Sequence, residues 1–257
     1  MGRTVEQFPR RRIKVMDESR IHMSRVIAIV NQKSVVGKTT TAVNLSAALA
    51  IAERRTLLID LDPQANSTRA LGFPDDPARA GVYDALSGAG SIEEIELTVD
   101  ALPFLFIAPS DRNLIGAEVE LVEVERREYC LRELLAPARK RFEHVFIDCP
   151  PSLGLLTVNA LAAADSVLIP VQCEYLALEG ITQLTDTIER IRAALNPSLA
   201  IEGILMTMYD ERTNLSKQVV DEVRGVFGSQ VYDTVIPRNV RLGEAPSYGK
   251  AIFLYDI

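Results

Sequence analysis

The chain has 257 residues, of which 47% are hydrophobic, and a formal net charge of −7 at pH 7. This length and composition exclude a disordered protein, and the acidic balance argues against a protein that coats nucleic acid with its whole surface. No apolar run reaches the roughly 18 residues of a membrane span, no signal-peptide pattern is present, and the three cysteines lack metal spacing. A reduced, cytoplasmic protein with no membrane partner is therefore expected.

Residues 1–24 show neither helical nor strand periodicity, and their cations include Arg10, Arg11, Arg12 and Lys14. A disordered leader is the first interpretation of this segment. A nucleic-acid-binding arm is one alternative, and a vector-derived leader is another, because Met23 would make a natural start. Residues 25–257 are expected to form a single domain.

From residue 25 onward, short apolar runs alternate with helical patterns. The helical spacing of apolar residues is clearest in residues 40–53 and 177–195, and the second pattern stops before Asn196-Pro197. Short runs that are apolar on both faces are typical of strands covered by helices on either side. The chain therefore predicts an α/β fold, a doubly wound and mostly parallel sheet with helices on both faces. The predicted strands are VIAIV, TLLID, FLFIA, HVFID, SVLIPV and GILMTM.

A phosphate-binding loop is expected after the first strand, in the segment VIAIVNQKSVVGKTTTAVNL. The run from Val36 and Gly37 to Thr40 follows a strand and opens a helix, whose first amides and partial positive charge suit phosphate. Lys38 can reach the β- and γ-phosphates, Thr39 offers a hydroxyl to Mg²⁺, and Thr40 can bond a more proximal phosphate.

Acidic residues follow two of the other predicted strands. Asp60 and Asp62 end one strand segment, where a spacing of two would put them on one face, and Asp148 ends another. Acids at the carboxyl ends of parallel strands point into the crevice where α/β proteins bind ligands. Together with the loop, these three acids predict a magnesium–nucleotide site.

These motifs resemble the ParA/Soj branch of the ParA/MinD class, whose members are P-loop NTPases with a deviant Walker A loop. The resemblance covers residues 25–257 and includes LLIDLDPQANST, IDCPPSLGLLTVNAL, GILMTMYDERTN and IPRNVRLGEAPSYGKAI. It implies an ATPase that takes ATP, ADP and Mg²⁺, forms an ATP-dependent sandwich homodimer and binds DNA nonspecifically. It also implies stimulation by a ParB-type partner, a role in segregating chromosomes or plasmids, and a nucleoid-associated location.

The resemblance also implies roles for individual residues. Lys33 matches the lysine that reaches the partner subunit's nucleotide, and Lys38 matches the lysine of the phosphate loop. Asp62 would polarise the attacking water, Asp60 would support the magnesium shell, and Asp148 would hold Mg²⁺ through water.

Two further sets of candidates follow from the resemblance. The adenine side would be formed by Pro237 and Arg238, with Thr207 and Met208 nearby; ordinary strand-end packing is the alternative for these residues. The DNA backbone would be contacted by cations of the last third, for each of which a solvated surface charge is the alternative. The candidates are Arg212, Lys217, Arg224, Arg241 and Lys250, with Arg212 and Arg241 inside the branch-specific motifs.

Two features depart from the family pattern. Ser34 and Val35 stand where the family has glycines, and if those glycines need a positive φ, the valine costs on the order of 1–3 kcal/mol. Both side chains would also crowd the face that meets a second subunit, so dimerisation and hydrolysis are expected to be poor while nucleotide binding survives. The end of the chain, GKAIFLYDI, is expected to lack the family's final helix.

Three other functions are alternatives to this one. A nucleotide-binding scaffold that does not hydrolyse ATP remains open because of the altered loop. A MinD-like positioning ATPase would carry a C-terminal amphipathic helix, which the sequence does not show. An iron–sulfur reductase would need a second cysteine to match Cys149, and none has a similar context. The sequence leaves the cargo and the partner's identity open.

Overall fold

A computed structural model describes residues 24–256. Except for Ser24, the predicted leader lies outside the described residues. The strands are β1 (Arg25–Ile29), β2 (Thr56–Asp60), β3 (Leu97–Val99), β4 (Leu102–Ala108), β5 (His144–Asp148), β6 (Ser166–Gln172), β7 (Ala200–Tyr209) and β8 (Val231–Pro237). The helices are α1 (Lys38–Ile51), α2 (Asn66–Ala70), α3 (Val82–Leu86), α4 (Ile92–Ile95), α5 (Leu114–Glu120), α6 (Cys130–Ala138), α7 (Leu155–Ala163), α8 (Ala177–Ala194), α9 (Asn214–Phe227), α10 (Val240–Glu244) and α11 (Ile252–Tyr255).

The strands form one eight-stranded sheet in the order β3-β4-β2-β5-β1-β6-β7-β8. Every pairing is parallel except that of β3 with β4, which is antiparallel. The predicted doubly wound, mostly parallel sheet is therefore confirmed, and all six predicted strands are present. The two strands at the edges of the sheet, β3 and β8, were not predicted.

Alternate residues of the central strands pack into two separate apolar clusters. Val26 and Ala28 of β1 belong to the cluster beneath α7 and α8, whereas Ile27 and Ile29 belong to the cluster beneath α1. This alternation follows from the period of two along a strand. Both faces of the central sheet are thus buried, and the parallel strands β2, β5 and β1 end side by side at one edge, where the loops carry the candidate site.

The segment from α10 to α11 crosses α1 and the end of α2. The Ile252 amide donates to the Asn44 Oδ1 atom at 2.7 Å, and the backbones of Gly72 and Gly249 touch, because a Cβ atom at Gly249 would lie 2.6 Å from the Gly72 Cα atom. Both glycines have positive φ, +90° at Gly72 and +64° at Gly249. The chain can therefore cross here only because neither residue carries a side chain.

An apolar groove of about 470 Å³ remains beside this crossing, on the α1 side of β6, β7 and β8. Its apolar walls include Leu45, Leu168, Leu205, Tyr232, Ile236 and Phe253. Four-residue α11 is the last helix in the described part of the chain, and the missing final helix stays a prediction. Of the helices within residues 24–256, none combines the length and hydropathy that a bilayer crossing requires.

Candidate nucleotide and magnesium site

The loop between β1 and α1 leaves the first turn of a helix open to an anion. Gly37 precedes α1 with a left-handed φ of 86°, and no side chain caps the helix. The first amide of α1 that bonds backwards is that of Thr41, which donates to the Gly37 carbonyl oxygen at 2.8 Å. The amides of Lys38, Thr39 and Thr40 therefore lie at an uncapped N-terminus, which is a geometry that binds phosphate.

The Lys38 side chain turns back over this loop. Its ammonium donates to the Lys33 carbonyl oxygen at 2.8 Å, and the residue is only 4% exposed. Burial lowers the pKa of Lys38, while the nearby carboxylates of Asp148 and Asp62 act in the opposite direction. The loop thus holds a buried cation beside two acids, close to the amides of α1.

Asp148, at the end of β5, is bonded through only one of its two carboxylate oxygens. The Thr39 hydroxyl and the Ser67 hydroxyl each donate to its Oδ2 atom at 2.8 Å. The Oδ1 atom is buried and has no hydrogen-bond partner within residues 24–256. Burial raises the pKa of Asp148 to about 6, against the lowering effect of the two hydroxyl bonds. An unpartnered carboxylate oxygen beside a threonine hydroxyl fits a magnesium ion, which takes oxygen ligands.

Asp60, at the end of β2, is bonded through both oxygens. Its Oδ2 atom accepts from the Thr68 amide at 2.8 Å and from the Thr68 hydroxyl at 2.7 Å, and its Oδ1 atom accepts from the Asp62 amide at 3.3 Å. Burial, and next the charge of Asp148, raise the pKa of Asp60 to about 7. Because its oxygens are occupied, a role in the magnesium shell stays a prediction.

Asp62 lies in the loop that follows β2, and not on the strand. The expected sharing of one strand face by Asp60 and Asp62 is therefore wrong, because β2 ends at Asp60. The loop turns at Asp62 instead: its Oδ1 atom accepts from the Gln64 amide at 2.9 Å, and its carbonyl oxygen accepts from the Ser110 hydroxyl at 2.8 Å. The two acids stay close through the loop rather than through strand geometry.

Ser34 and Val35 lie on the exposed surface of the loop. Val35 is 69% exposed, and neither residue is among the described non-glycine residues with positive φ. The expected left-handed strain is therefore wrong for this backbone, because the loop accommodates both residues with ordinary φ angles. What the two side chains add is bulk on the surface, so crowding of a second subunit stays a prediction.

Lys33 also lies at this surface but is bonded within its own chain. Its Nζ atom donates to the Leu176 carbonyl oxygen at 3.3 Å, just before α8. The loop behind it is fixed by Asn31, whose Nδ2 atom donates to the Pro170 carbonyl oxygen and whose Oδ1 atom accepts from the Lys33 amide. In this conformation the Lys33 side chain lies over its own subunit.

The predicted adenine-side residues meet the phosphate loop around a small cavity of about 190 Å³. The Thr207 hydroxyl fixes the loop by donating to the Val36 carbonyl oxygen at 2.8 Å. The chain then turns through Met208, which has a φ of 52°. The candidates that line the cavity are Gly37, Thr40, Thr207, Met208, Pro237 and Arg238.

The candidate DNA-binding cations lie on and around α9 and α10, and several are bonded within the chain. Arg212 donates to both carboxylate oxygens of Asp210, and this bond lowers the pKa of Asp210 to about 2. Arg241 lies 3.3 Å from the Glu244 carboxylate, and Arg224 donates to backbone carbonyl oxygens, including that of Asp233. The last two candidates, Lys217 and Lys250, are exposed.

Sequence reasoning missed Ser67, Thr68 and Ser110, which hold the acids in place. Ser67 and Thr68 belong to the motif that contains Asp60 and Asp62, so the signal was the pair of hydroxyl residues that opens the next helix. Ser110 follows β4, and its amide donates to the Thr68 Oγ1 atom at 3.0 Å. No sequence pattern pointed to Ser110.

The described residues contain no group of three or more His, Cys, Asp or Glu side chains that could hold a metal ion. Residues 24–256 therefore contain no metal site that is formed by three or more of these side chains alone. Magnesium commonly takes one or two carboxylates, water and the substrate's phosphates. The single free oxygen of Asp148 and the Thr39 hydroxyl match that kind of site.

The sequence is similar to those of proteins named for chromosome partitioning. The AAA domain family matches residues 24–201. The chain is 56% identical to the chromosome partitioning protein ParA of Myxococcus xanthus, over 91% of this chain and 83% of that protein. It is 50% identical to the chromosome-partitioning ATPase Soj of Thermus thermophilus, over 89% of this chain and 87% of that protein.

A solved structure agrees with the fold and with the nature of the site. The cobyrinic acid a,c-diamide synthase of Mycobacterium smegmatis, solved with bound ADP and magnesium, superposes with a TM-score of 0.80 at 39% identity. The match covers 88% of this chain and 93% of that one.

Proposed function

Because the chain belongs to the ParA/Soj family of partitioning ATPases, we propose that it binds ATP or ADP with Mg²⁺, hydrolyses ATP and segregates chromosomal or plasmid DNA. The proposed cycle includes an ATP-dependent homodimer, nonspecific DNA binding and stimulation by a ParB-type partner. The observation that carries the proposal is the free Oδ1 atom of Asp148, beside the Thr39 hydroxyl and the uncapped amides of α1.

The phosphates would lie on the amides of residues 37–40, with Lys38 exchanging its bond to the Lys33 carbonyl for a phosphate oxygen. Thr39 and Asp148 would hold Mg²⁺, which when bound neutralises charge on the β- and γ-phosphates. Asp62, whose loop is fixed by Ser110, would orient the attacking water. The buried surroundings strengthen each of these electrostatic contacts.

The base and ribose would lie toward the cavity of about 190 Å³ that Thr207, Met208, Pro237 and Arg238 line. This cavity shares Gly37 and Thr40 with the phosphate loop, so one nucleotide can contact both. Arg238 stands at its exposed rim, 3.8 Å from Glu174. A nucleotide bound in this way would lie along the N-terminus of α1.

The proposed dimer face surrounds the loop and is unusually apolar for exposed surface. Beside the loop, Tyr175 is 78% exposed and Leu176 52%. Exposed aromatic and aliphatic side chains around a ligand site suit a protein interface. Lys33 lies among them, and release of its bond to the Leu176 carbonyl oxygen would let it reach a second subunit's nucleotide.

The DNA contacts are proposed at Arg212, Lys217, Arg224, Arg241 and Lys250, and a dimer would double their number. Nonspecific binding needs several cations on one face and no base contacts. DNA binding of this kind would place the protein on the nucleoid.

A non-hydrolysing nucleotide-binding scaffold is the second candidate function. The exposed Val35 side chain favours it, because bulk on this surface opposes the close approach of two subunits. Lys33 would then have no second nucleotide to reach, and turnover would be slow.

Phosphate release with ATP, Mg²⁺, DNA and a ParB-type protein tests the proposal against the scaffold. Turnover that DNA and the partner stimulate is expected for the partitioning ATPase. Nucleotide binding with no phosphate release under any of these conditions would support the scaffold instead. A Lys38→Ala variant supplies the background rate.

A further inference from the structure

The Ser67 hydroxyl makes a hydrogen bond that joins two distant parts of the chain. Ser67 is 0% exposed and is the second residue of five-residue α2, so no earlier turn of that helix offers its hydroxyl a carbonyl acceptor. Its hydroxyl donates instead to the Oδ2 atom of Asp148, 81 residues away in sequence, at 2.8 Å. This contact joins the helix after the Asp62 loop to the carboxylate at the end of β5.

The bond determines which oxygen of Asp148 remains available. Ser67 and Thr39 both donate to Oδ2, from two different helices, whereas Oδ1 is buried without a partner among the described residues. Two donors on one oxygen fix the rotation of the carboxylate about its last bond. With one donor removed, the group gains freedom to turn, and Oδ1 no longer has a fixed direction.

Ser67 is itself held by its neighbour. Thr68 donates from both its amide and its hydroxyl to Asp60, and it accepts from the Ser110 amide at 3.0 Å. Adjacent residues of one short helix therefore bond the acids at the ends of two adjacent strands, β2 and β5. Since Thr68 anchors the helix, the position of the Ser67 hydroxyl is defined independently of Asp148.

We propose that Ser67 is a positioning residue for magnesium, which orients the Asp148 carboxylate so that its Oδ1 atom faces the ion beside the Thr39 hydroxyl. The inference rests on the proposed nucleotide function and adds a group that does not itself touch the metal or the nucleotide. Residues that hydrogen-bond a metal-binding side chain commonly change metal affinity by about 10–100-fold when substituted.

The alternative is a structural role, in which Ser67 only satisfies a buried acid. That role predicts lower stability of the Ser67→Ala variant with no change in the dependence on Mg²⁺. Ser46 of α1 supplies a matched control, because it is also 0% exposed and its hydroxyl has no hydrogen-bond partner in the described part of the chain. Ser46→Ala removes a buried hydroxyl without removing a bond.

The experiment titrates Mg²⁺ into full-length protein that holds a fluorescent ATP analogue, and separately measures affinity for the analogue in EDTA. Binding of Mn²⁺, followed by electron paramagnetic resonance, reports the metal directly. For Ser67→Ala we expect at least about a tenfold rise in the Mg²⁺ and Mn²⁺ concentrations for half-saturation. Analogue affinity in EDTA should not change, and Ser46→Ala should match the unsubstituted chain.

Ser67→Cys, whose thiol is a weaker donor and slightly larger than the hydroxyl, leaves no cavity, should show the same shift and guards against a folding defect in the alanine variant. Metal dependence in both Ser67 variants equal to that of the unsubstituted chain would overturn the inference while leaving the proposed function intact. Failure of the unsubstituted chain to bind the analogue at any Mg²⁺ concentration would overturn the proposed function, and this inference with it.

Discussion

The Lys38 ammonium donates to the Lys33 carbonyl oxygen at 2.8 Å, so the loop that carries Ser34 and Val35 is closed by the lysine that we propose binds phosphate. A bound phosphate would have to replace that bond with a charged one, which is the stronger interaction. The Lys38 side chain thus closes the loop when no nucleotide is bound, and it would hold the phosphates when a nucleotide is bound.

Replacing Lys38 with alanine should abolish ATP binding, because the loop loses its only buried cation among the described residues. Calorimetry with Mg–ATP measures the effect, and we expect affinity to fall by at least about a hundredfold, some 2.7 kcal/mol. Exposed Lys140 supplies the control, since Lys140→Ala removes the same charge far from the site in sequence. If the Lys38 variant binds Mg–ATP with unchanged affinity, this loop is not part of the nucleotide site.

Replacing Asp62 with alanine should leave nucleotide affinity within about twofold and stop turnover, because the proposed role of its side chain is to orient water and not phosphate. Phosphate release should fall by at least about a hundredfold. The comparison is best made with glycine at positions 34 and 35, where turnover is expected to be faster. Equal hydrolysis with and without the Asp62 carboxylate in that background would exclude it from the mechanism.

Restoring glycine at Ser34 and Val35 should tighten the ATP-dependent dimer and raise turnover. The reason is reduced bulk on the exposed face and not relief of backbone strain, since neither residue has a positive φ. We expect dimer affinity to rise at least about tenfold, some 1.4 kcal/mol, by light scattering over a concentration series. The single Val35→Gly variant should account for most of the gain, because valine adds the larger side chain. Equal dimer affinity in the unsubstituted chain and the double-glycine variant would show that Ser34 and Val35 do not weaken dimerisation.

Charge reversal at Arg212 and Arg241 should weaken binding to unrelated DNA sequences equally and flatten its salt dependence. Because Asp210 neutralises Arg212 in the free protein, Asp210→Asn should have the opposite effect and strengthen binding. Exposed Arg190 in α8 is the control position for charge reversal. If none of these changes alters the affinity for DNA, the DNA-binding surface does not include Arg212 or Arg241.

Replacing Asp60 with asparagine should affect stability more favourably at high pH than at low pH in the absence of Mg²⁺. The folded state raises the pKa of Asp60 from 3.8 to about 7, so the folded state holds its proton more tightly than the unfolded state. The free energy of unfolding therefore falls as pH rises from about 4 to about 7, and the substitution removes that loss. In EDTA, the Tm of the variant relative to the unsubstituted chain should be at least about 2 °C higher at pH 8 than at pH 5. An equal shift at both pH values would contradict the raised pKa.

The centre of the fold could be predicted from the sequence because its strands are apolar on both faces, and burial on both faces leaves a clear pattern. Edge strands carry less of that pattern. In β8 most residues are exposed or half-buried, and β3 has only three residues. Neither segment shows an uninterrupted apolar run, so both were missed for the same physical reason.

The candidate site was predictable where backbone geometry demands a particular residue, as at Gly37 with its positive φ. The residues that hold the acids were not predictable in the same way. Ser110 reaches Thr68 and the Asp62 loop only because β4 lies beside β2 in the sheet. Strand order comes from the packing of the whole chain, and a serine after a strand gives no local sign of it.

The contact between Gly72 and Gly249 limits how this sequence can vary. A Cβ atom at Gly249 would lie 2.6 Å from the Gly72 Cα atom. A substitution at Gly249 would therefore push the two crossing segments apart even if Gly72 were retained. Two distant positions are thereby linked, although neither has a side chain that could covary with the other. Among chains that retain this crossing, we expect glycine at both positions together, and where one has been lost, a rerouted backbone that frees the other.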